Sequence, residues 1–160
     1  MSESAESTFT VRRATMTDLD TIAGFAAAEA ANAEGRTLDA DTLRRGVLAG
    51  LEDPSVATYW VVETAGGEVV GNASVTREWS NWNAANYWWV QSMFVTPAYR
   101  GRRLARLLLA TIEDAARAAG AADLRLYVHE ENTKAIRAYA RTGFTDSPYQ
   151  IMSKRVTPED

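Results

Sequence analysis

The stretch FVTPAYRGRRLARLLL, Phe94 to Leu109, joins a β-like run to a strongly apolar helical run and decides the fold. Pro97 breaks the first run, and a glycine among several arginines precedes the second. A strand that turns here and starts a helix presents unpaired backbone N–H groups and the positive end of a helix dipole. The junction therefore has two interpretations: a site for a phosphate or pyrophosphate, or a basic helix start that faces solvent.

Composition narrows the functional classes. The chain has 160 residues and a net charge of −4, so no general basic field attracts nucleic acid or an anionic membrane. It contains no cysteine, so we expect no disulfides. Its single histidine, His129, is interpreted as a surface residue at a strand end, and we expect no bound metal. The polar start and the lack of a long apolar run predict a cytoplasmic protein with no membrane partner.

The hydrophobic periodicity predicts a single domain over residues 1–160, with an ordered core at about 9–156 and the element order β, α, α, β, β, β, α, β, α, β. The second helix is predicted to end at Gly50 and Pro54, and a hairpin turns at Gly66 and Gly67. The segment YQIMSKRV, residues 149–156, is predicted to form the last strand.

A tryptophan-rich segment, EWSNWNAANYWWVQSMF, precedes the arginine junction. Strict alternation would place Trp89, Gln91 and Met93 on one face of its strand and Trp88, Val90, Ser92 and Phe94 on the other. Aromatic walls with a few carboxylates suit a small cationic amine. Ordinary sheet core with a contact between two copies of the chain is an equally supported interpretation.

Two motifs together resemble the GCN5-related N-acetyltransferases. The first is VTPAYRGRRLA, where Arg100 and Ala105 lie at the ends of that family's Arg/Gln-x-x-Gly-x-Gly/Ala signature. The second is LRLYVHEENTKAIRAYARTGF, which supplies the family's Asn, Tyr and Gly-Phe at Asn132, Tyr139 and Gly143-Phe144. The chain departs from the pattern once, because Arg103 stands where the family usually has its middle glycine, and a Cβ there could crowd a pyrophosphate.

The resemblance implies an α+β fold in three layers, with a mixed, mostly antiparallel sheet of six to seven strands and about four helices. It also implies that the fourth and fifth strands, here Tyr87 to Val95 and Leu124 to His129, splay apart to hold acetyl-CoA. The residues expected on this cofactor are Met93, Phe94, Val95, Arg100, Gly101, Arg102, Arg103, Leu104, Ala105, Arg106, Asn132, Ala135 and Tyr139.

The implied activity is acetyl transfer from acetyl-CoA to a primary amine of a small, cationic molecule, directly and through a tetrahedral intermediate. Tyr139 is the expected general acid, because a phenol stays protonated at neutral pH. The candidate bases are Glu29 and Glu78. The residues expected on the acceptor side are Glu29, Glu34, Trp79, Trp82, Trp89 and Gln91.

Two other functions stay open on the same fold: acetylation of a protein or peptide, and acyl-CoA binding without catalysis. The bulky tryptophans disfavour an open peptide groove, and Tyr139 favours chemistry over binding alone. Members of the family often form homodimers, which we expect as a possible assembly of this chain.

Overall fold

The computed structural model describes residues 8–158, which divide into two compact units. The first unit runs to Tyr127 and contains the whole sheet, and the second begins at Val128. The helices and strands of the first unit are, in chain order, β1 (Phe9–Arg13), α1 (Leu19–Glu34), α2 (Ala40–Glu52), β2 (Thr58–Thr64), β3 (Val69–Ser80), β4 (Ala85–Val95), α3 (Leu104–Ala118) and β5 (Asp123–Leu126). The predicted order is confirmed through these elements.

Among residues 8–158 the sheet has five strands in the order β1-β2-β3-β4-β5, fewer than the six to seven expected. The first four strands pair antiparallel, and β5 pairs parallel to β4, so the predicted mixed and mostly antiparallel sheet is confirmed. β5 is shorter than expected and ends at Leu126 instead of His129.

Helices cover both faces of the sheet and complete the three layers. α1 and α2 pack over Val61 through a core that includes Leu19, Ile22 and Val47. The amphipathic helix α3 buries Leu104, Leu108, Leu109, Ile112 and Ala116 and contacts β1 to β4. Because Val62 points away from the face that Val61 uses and is also fully buried, α3 covers the opposite face.

Two glycines allow close approaches within this unit. A Cβ at Gly71 of β3 would lie 2.7 Å from the carbonyl oxygen of Phe94 on β4. A Cβ at Gly50 would lie 2.7 Å from Cε2 of Tyr59 on β2. The prediction that Gly50 ends the second helix is therefore wrong: α2 continues to Glu52, and Gly50 is glycine because the helix packs closely on the sheet there.

The second unit contains α4 (Thr133–Arg141), which the sequence predicts correctly. Asn132 caps this helix, since its side-chain oxygen accepts a hydrogen bond of 3.1 Å from the Ala135 N–H. The predicted last strand is wrong, because residues 149–156 adopt no strand and the side chains of Ile151, Met152 and Val156 are exposed. An alternating pattern yields a strand only where a sheet edge accepts its hydrogen bonds.

No helix among residues 8–158 combines the length and apolar character needed to cross a bilayer.

Candidate functional site

The strand β4 changes its neighbours at Gln91. Its first half, Ala85–Val90, pairs with β3 and also with β5 from Tyr87 onward, and we call it the two-sided half. Pairing with β5 ends at Val90 and Leu126, so among the described strands the second half, Gln91–Val95, pairs with β3 alone; we call it the one-sided half. The predicted splay of the fourth and fifth strands is thus present from Gln91 onward.

A β-bulge marks the change. Ser92 lies opposite Ser74 of β3, but Val90 lies opposite Val75, so Gln91 is the extra residue. Ser92 and Phe94 therefore lie on the α1 side of the sheet, where the Phe94 ring contacts the Phe25 ring at a centroid distance of 5.2 Å. Strict alternation was wrong here because the bulge reverses the side-chain direction after Val90. Bulges recur next to active sites, where they redirect side chains and end strand pairing.

The junction after β4 forms a turn with two residues in the left-handed region. Gly101 has φ +79° and Arg103 has φ +61°. Arg103 is the N-cap residue of α3 and makes no side-chain capping hydrogen bond. The N–H groups of the first turn of α3, at Leu104, Ala105 and Arg106, thus point out of the helix start without a side-chain cap. They form a ready site for an anion.

The four arginines of this junction are not equivalent. The Arg100 Nε donates a 3.0 Å hydrogen bond to the Val95 carbonyl oxygen, and the Arg102 guanidinium lies 4.9 Å from the Tyr99 ring centroid. Within the described part of the chain, the side chains of Arg103 and Arg106 have neither an ion pair nor a hydrogen bond. These two exposed guanidinium groups are the ones available to an anion at the α3 terminus.

A cavity of about 290 Å³ lies between the sheet and the helices α1 and α2. Its apolar lining comes from the helices and its polar lining largely from β2, β3 and β4. The lining residues are Ile22, Ala26, Glu29, Thr42, Leu43, Gly46, Val47, Tyr59, Asn72, Ser74, Gln91 and Ser92. Gln91 and Ser92 belong to the one-sided half of β4, so the cavity lies beside the bulge.

Hydroxyl groups form one wall of this cavity. The Ser74 Oγ and Ser92 Oγ atoms are 2.6 Å apart and share a hydrogen bond across β3 and β4. Burial raises the pKa of the Tyr59 phenol above its ordinary value, and an interaction with the Ser74 side chain opposes that rise. Tyr59 therefore stays neutral at physiological pH and is a hydrogen-bonding group, not a charge.

Glu29 is the carboxyl group of the cavity. It is partly buried on α1, and this burial raises its pKa above the ordinary 4.5, while the backbone N–H of Met93 acts in the opposite direction. The sequence prediction placed Glu29 on the acceptor side and Met93 on the cofactor. The structure brings this carboxyl to the backbone of the one-sided half.

The other predicted acceptor residues lie elsewhere, apart from Gln91. Glu34 is exposed and pairs with Arg36 at 3.3 Å. Trp79 and Trp82 are 63% and 85% exposed, at the end of β3 and in the following turn. Trp89 stacks on Tyr127 at a centroid distance of 4.6 Å, and Glu78 lies 4.0 Å from Arg125. None of these five lines the cavity, and their roles stay predictions.

Tyr139 lies in the second unit, on the last turns of α4. Its ring meets the Phe144 ring edge-on at 5.7 Å, and its carbonyl oxygen accepts a 2.8 Å hydrogen bond from the Thr142 hydroxyl. The Phe144 contact positions the ring, and the hydrogen bond to the carbonyl belongs to the end of α4. The proposed proton-donor role of Tyr139 and the cofactor contacts of Asn132 and Ala135 remain predictions from the motif.

Four polar residues that the strands contribute to the cavity were missed by the sequence reasoning: Tyr59, Asn72, Ser74 and Ser92. The signal that pointed to two of them is in VVGNASV, where Asn72 and Ser74 alternate with apolar residues in an otherwise buried strand. Polar side chains at alternate positions of a buried strand indicate a polar surface under the helices.

The chain matches the model of the acetyltransferase (GNAT) family over residues 25–144, which is 120 of its 160 residues. It therefore belongs to the GNAT family of acetyltransferases. The match extends from α1 through both motifs and ends at Phe144.

Two curated relatives are acetyltransferases by name. The chain is 32% identical over 114 residues to an aminoalkylphosphonate N-acetyltransferase of Salmonella typhimurium, which covers 71% of this chain and 73% of that protein. It is 37% identical over 93 residues to a streptothricin acetyltransferase of Streptomyces lavendulae, covering 58% of this chain and 47% of that one.

Solved structures share the fold. A possible acetyltransferase from Clostridium difficile 630 superposes with a TM-score of 0.88 at 33% identity, over 94% of this chain and 99% of that one. The aminoglycoside acetyltransferase AAC(6')-Iy, solved with a bisubstrate analogue built on coenzyme A, has a TM-score of 0.77 at 18% identity over 94% of this chain and 100% of its own. These likenesses confirm the predicted family and fold.

Proposed function

We propose that this acetyltransferase transfers the acetyl group of acetyl-CoA to a primary amine of a small, cationic molecule held in the cavity beneath α1 and α2. The observation that carries the proposal is the juxtaposition of that cavity, with its carboxyl Glu29, and the one-sided half of β4. Direct transfer requires the acyl donor and the amine acceptor to lie next to each other, as a donor along the one-sided half and an acceptor in the cavity would.

The residues of this chain fit coenzyme A in two respects. Among the described strands, the one-sided half pairs with β3 alone, so backbone groups on its other edge are suited to pair with the amide groups of a pantetheine arm. The uncapped start of α3, with the free guanidinium groups of Arg103 and Arg106, suits the pyrophosphate. When bound, acetyl-CoA supplies the thioester that makes the acetyl carbon electrophilic.

The charge of the cavity supports a cationic acceptor. Glu29 is its carboxyl group, and no lysine, arginine or histidine is among its lining residues in the described chain. An ammonium group gains a counter-charge there, whereas a phosphonate or carboxylate gains none. The volume of about 290 Å³ matches a small molecule better than a peptide segment.

In the proposed chemistry, Glu29 accepts one proton and Tyr139 donates one. Glu29 removes the proton that keeps the acceptor nitrogen cationic, and the freed lone pair bonds to the acetyl carbon. A backbone N–H of the one-sided half donates to the acetyl oxygen as negative charge develops on it. The Tyr139 hydroxyl protonates the sulfur as the C–S bond breaks, and the second proton lost by nitrogen restores the phenol. The products are an N-substituted acetamide and the free thiol of coenzyme A.

Glu29 is the preferred base over Glu78. Burial raises the pKa of Glu29 toward the working pH, which is what a general base needs. Glu78 is about half exposed, lies 4.0 Å from Arg125 and does not line the cavity.

The test follows thiol release from acetyl-CoA with polyamines, amino alcohols, aminoglycosides, amino acids and short peptides, for the wild type and Tyr139→Phe. We expect turnover with cationic small amines and a loss of about 100-fold or more in kcat for the variant. Full activity in Tyr139→Phe would reject it as the acid. Preference for peptides, or donor binding with no turnover of any amine, would reject the proposed function.

A further inference from the structure

Asn72 is unlike the other buried polar side chains of the sheet. It lies in β3 between Val61 of β2 and Phe94 of β4, and only 3% of it is exposed. Its side chain lines the cavity, and among residues 8–158 no group forms a hydrogen bond with it. No fully buried side-chain nitrogen or oxygen atom among these residues lacks a hydrogen-bond partner, so the Asn72 amide is not sealed in the protein but is open to the cavity.

Other buried polar side chains of the sheet have hydrogen-bond partners. Ser74 bonds to Ser92, Thr58 accepts from Arg77 and donates to the Pro54 carbonyl, and Ser80 donates to the Tyr87 hydroxyl. The sequence thus supplies a partner for each of these buried groups and leaves the Asn72 amide facing the cavity. An amide in that position has two donor hydrogens and one acceptor oxygen to offer a ligand.

The surroundings limit what that ligand group is. The cavity residues named above include no basic side chain, and Glu29 is their carboxyl group, so an anionic group would lack a counter-charge. An ammonium group would use only the amide oxygen and already has Glu29. A neutral hydroxyl or carboxamide uses both the donor and the acceptor of Asn72.

We infer that Asn72 is a specificity-determining residue that hydrogen-bonds a neutral hydroxyl or carboxamide group of the acceptor, while Glu29 addresses its amine. The inference rests on the proposed function, since it assumes that the cavity holds the acceptor. A site built to bond such a group discriminates against an analogue that lacks it, because the analogue leaves the buried amide unpaired.

The test uses matched acceptors. A series of amino alcohols is compared with alkylamines in which a methyl group replaces the hydroxyl, and glycinamide is compared with glycine. For the wild type we expect kcat/KM to favour the hydroxyl- and amide-bearing acceptors by about tenfold or more. In Asn72→Leu, of similar volume and without hydrogen-bonding groups, we expect that ratio to fall below about threefold, mainly through loss on the preferred acceptors.

Two controls keep the result interpretable. Thr58→Val alters an equally buried polar residue of the neighbouring strand that lies outside the cavity, and should keep the wild-type ratio. Asn72→Ala provides a second variant should Asn72→Leu fail to fold. An unchanged ratio in the folded Asn72 variants overturns the inference alone. Turnover of no amine by the wild type overturns the proposed function and the inference with it.

Discussion

The two halves of β4 belong to one strand but differ in what their side chains do. In the two-sided half, polar and aromatic groups are bound to each other: the Arg125 guanidinium lies 3.6 Å from the Tyr87 ring centroid, and Trp89 stacks on Tyr127. In the one-sided half, β4 no longer pairs with β5, and the bulge has reversed the side-chain direction. A cavity with a carboxyl group lies beside this half.

This difference separates stability from chemistry along a single strand. Groups whose hydrogen bonds and ring faces are occupied stabilise the fold and have little left for a ligand. Unpaired backbone and a carboxyl with a raised pKa are less favourable for folding, yet they are what acyl transfer needs. Variants of the one-sided half should change the rate, and variants of the two-sided half should change the stability.

The largest effect is expected for Glu29→Gln, which keeps the shape of the side chain and removes the base. We expect kcat/KM to fall about 100-fold near neutral pH. In the wild type, kcat/KM should rise with pH as Glu29 loses its proton, at a pH above the ordinary carboxyl range because burial raises its pKa. The variant should lose that rise. The pH profile of thiol release measures both effects.

The same substitution should make the protein more stable at neutral pH. Because the pKa of Glu29 is higher in the folded chain than in the unfolded chain, its contribution to stability is complete below the unfolded pKa and is lost as the pH rises through the folded pKa. Glu29→Gln should therefore have the higher Tm at pH 8 but no advantage below about pH 4.

The matched control is Asp20→Asn, an exposed carboxylate on the same helix that pairs with Arg44. It should change neither the pH profile nor the Tm by much. An unchanged pH profile in Glu29→Gln would contradict the assignment of the base.

A smaller effect, on stability and not on the rate, is expected for Arg125→Met in the two-sided half. The variant keeps an apolar stem but loses the guanidinium that lies over Tyr87 and 3.3 Å from Asp123. We expect the free energy of unfolding to fall by about 1 kcal/mol, with kcat/KM within twofold of the wild type. Urea denaturation and the thiol assay measure the two quantities.

The control for this variant is Arg117→Met, because within residues 8–158 Arg117 forms ion pairs with Glu113 and Asp114 of its own helix alone. It should lose about 0.5 kcal/mol or less. A tenfold fall in the kcat/KM of Arg125→Met would show that the two-sided half also takes part in catalysis, and the division between the halves would fail.

The sequence predicted those features that local patterns encode. The hairpin at Gly66 and Gly67 and the apolar helix that follows the arginine junction each depend on residues close together in the chain, and each is found in the structure. The resemblance to the family also predicted that β4 and β5 separate, and their pairing ends at Val90 and Leu126.

What the sequence could not supply depends on contacts between distant residues. The bulge at Gln91 arises from the register of β4 on β3, so alternation within β4 alone assigned the wrong face to Ser92 and Phe94. Gly50 resembled a helix end because its close contact with Tyr59 comes from another element. The polar wall of the cavity assembles from three strands, and most of its members were missed for that reason.

The smallest expected effect concerns Arg103, which follows the one-sided half and takes the place of a glycine in the family motif. Its φ of +61° lies in the left-handed region, which disfavours a residue with a Cβ by about 1 kcal/mol. Arg103→Gly removes that strain but makes the unfolded chain more flexible, so the free energy of unfolding should rise by less than about 1 kcal/mol.

Comparison with Arg103→Ala separates backbone strain from charge at the start of α3. Alanine keeps the Cβ and the strain but lacks the guanidinium, so coenzyme A should bind about threefold to tenfold more weakly than to the wild type, as measured by calorimetry. Glycine loses the same charge and gains room for the pyrophosphate, so its affinity should lie between the two. If both variants bind as tightly as the wild type, the Arg103 side chain points into solvent and Arg106 is the cation that acts at this helix start.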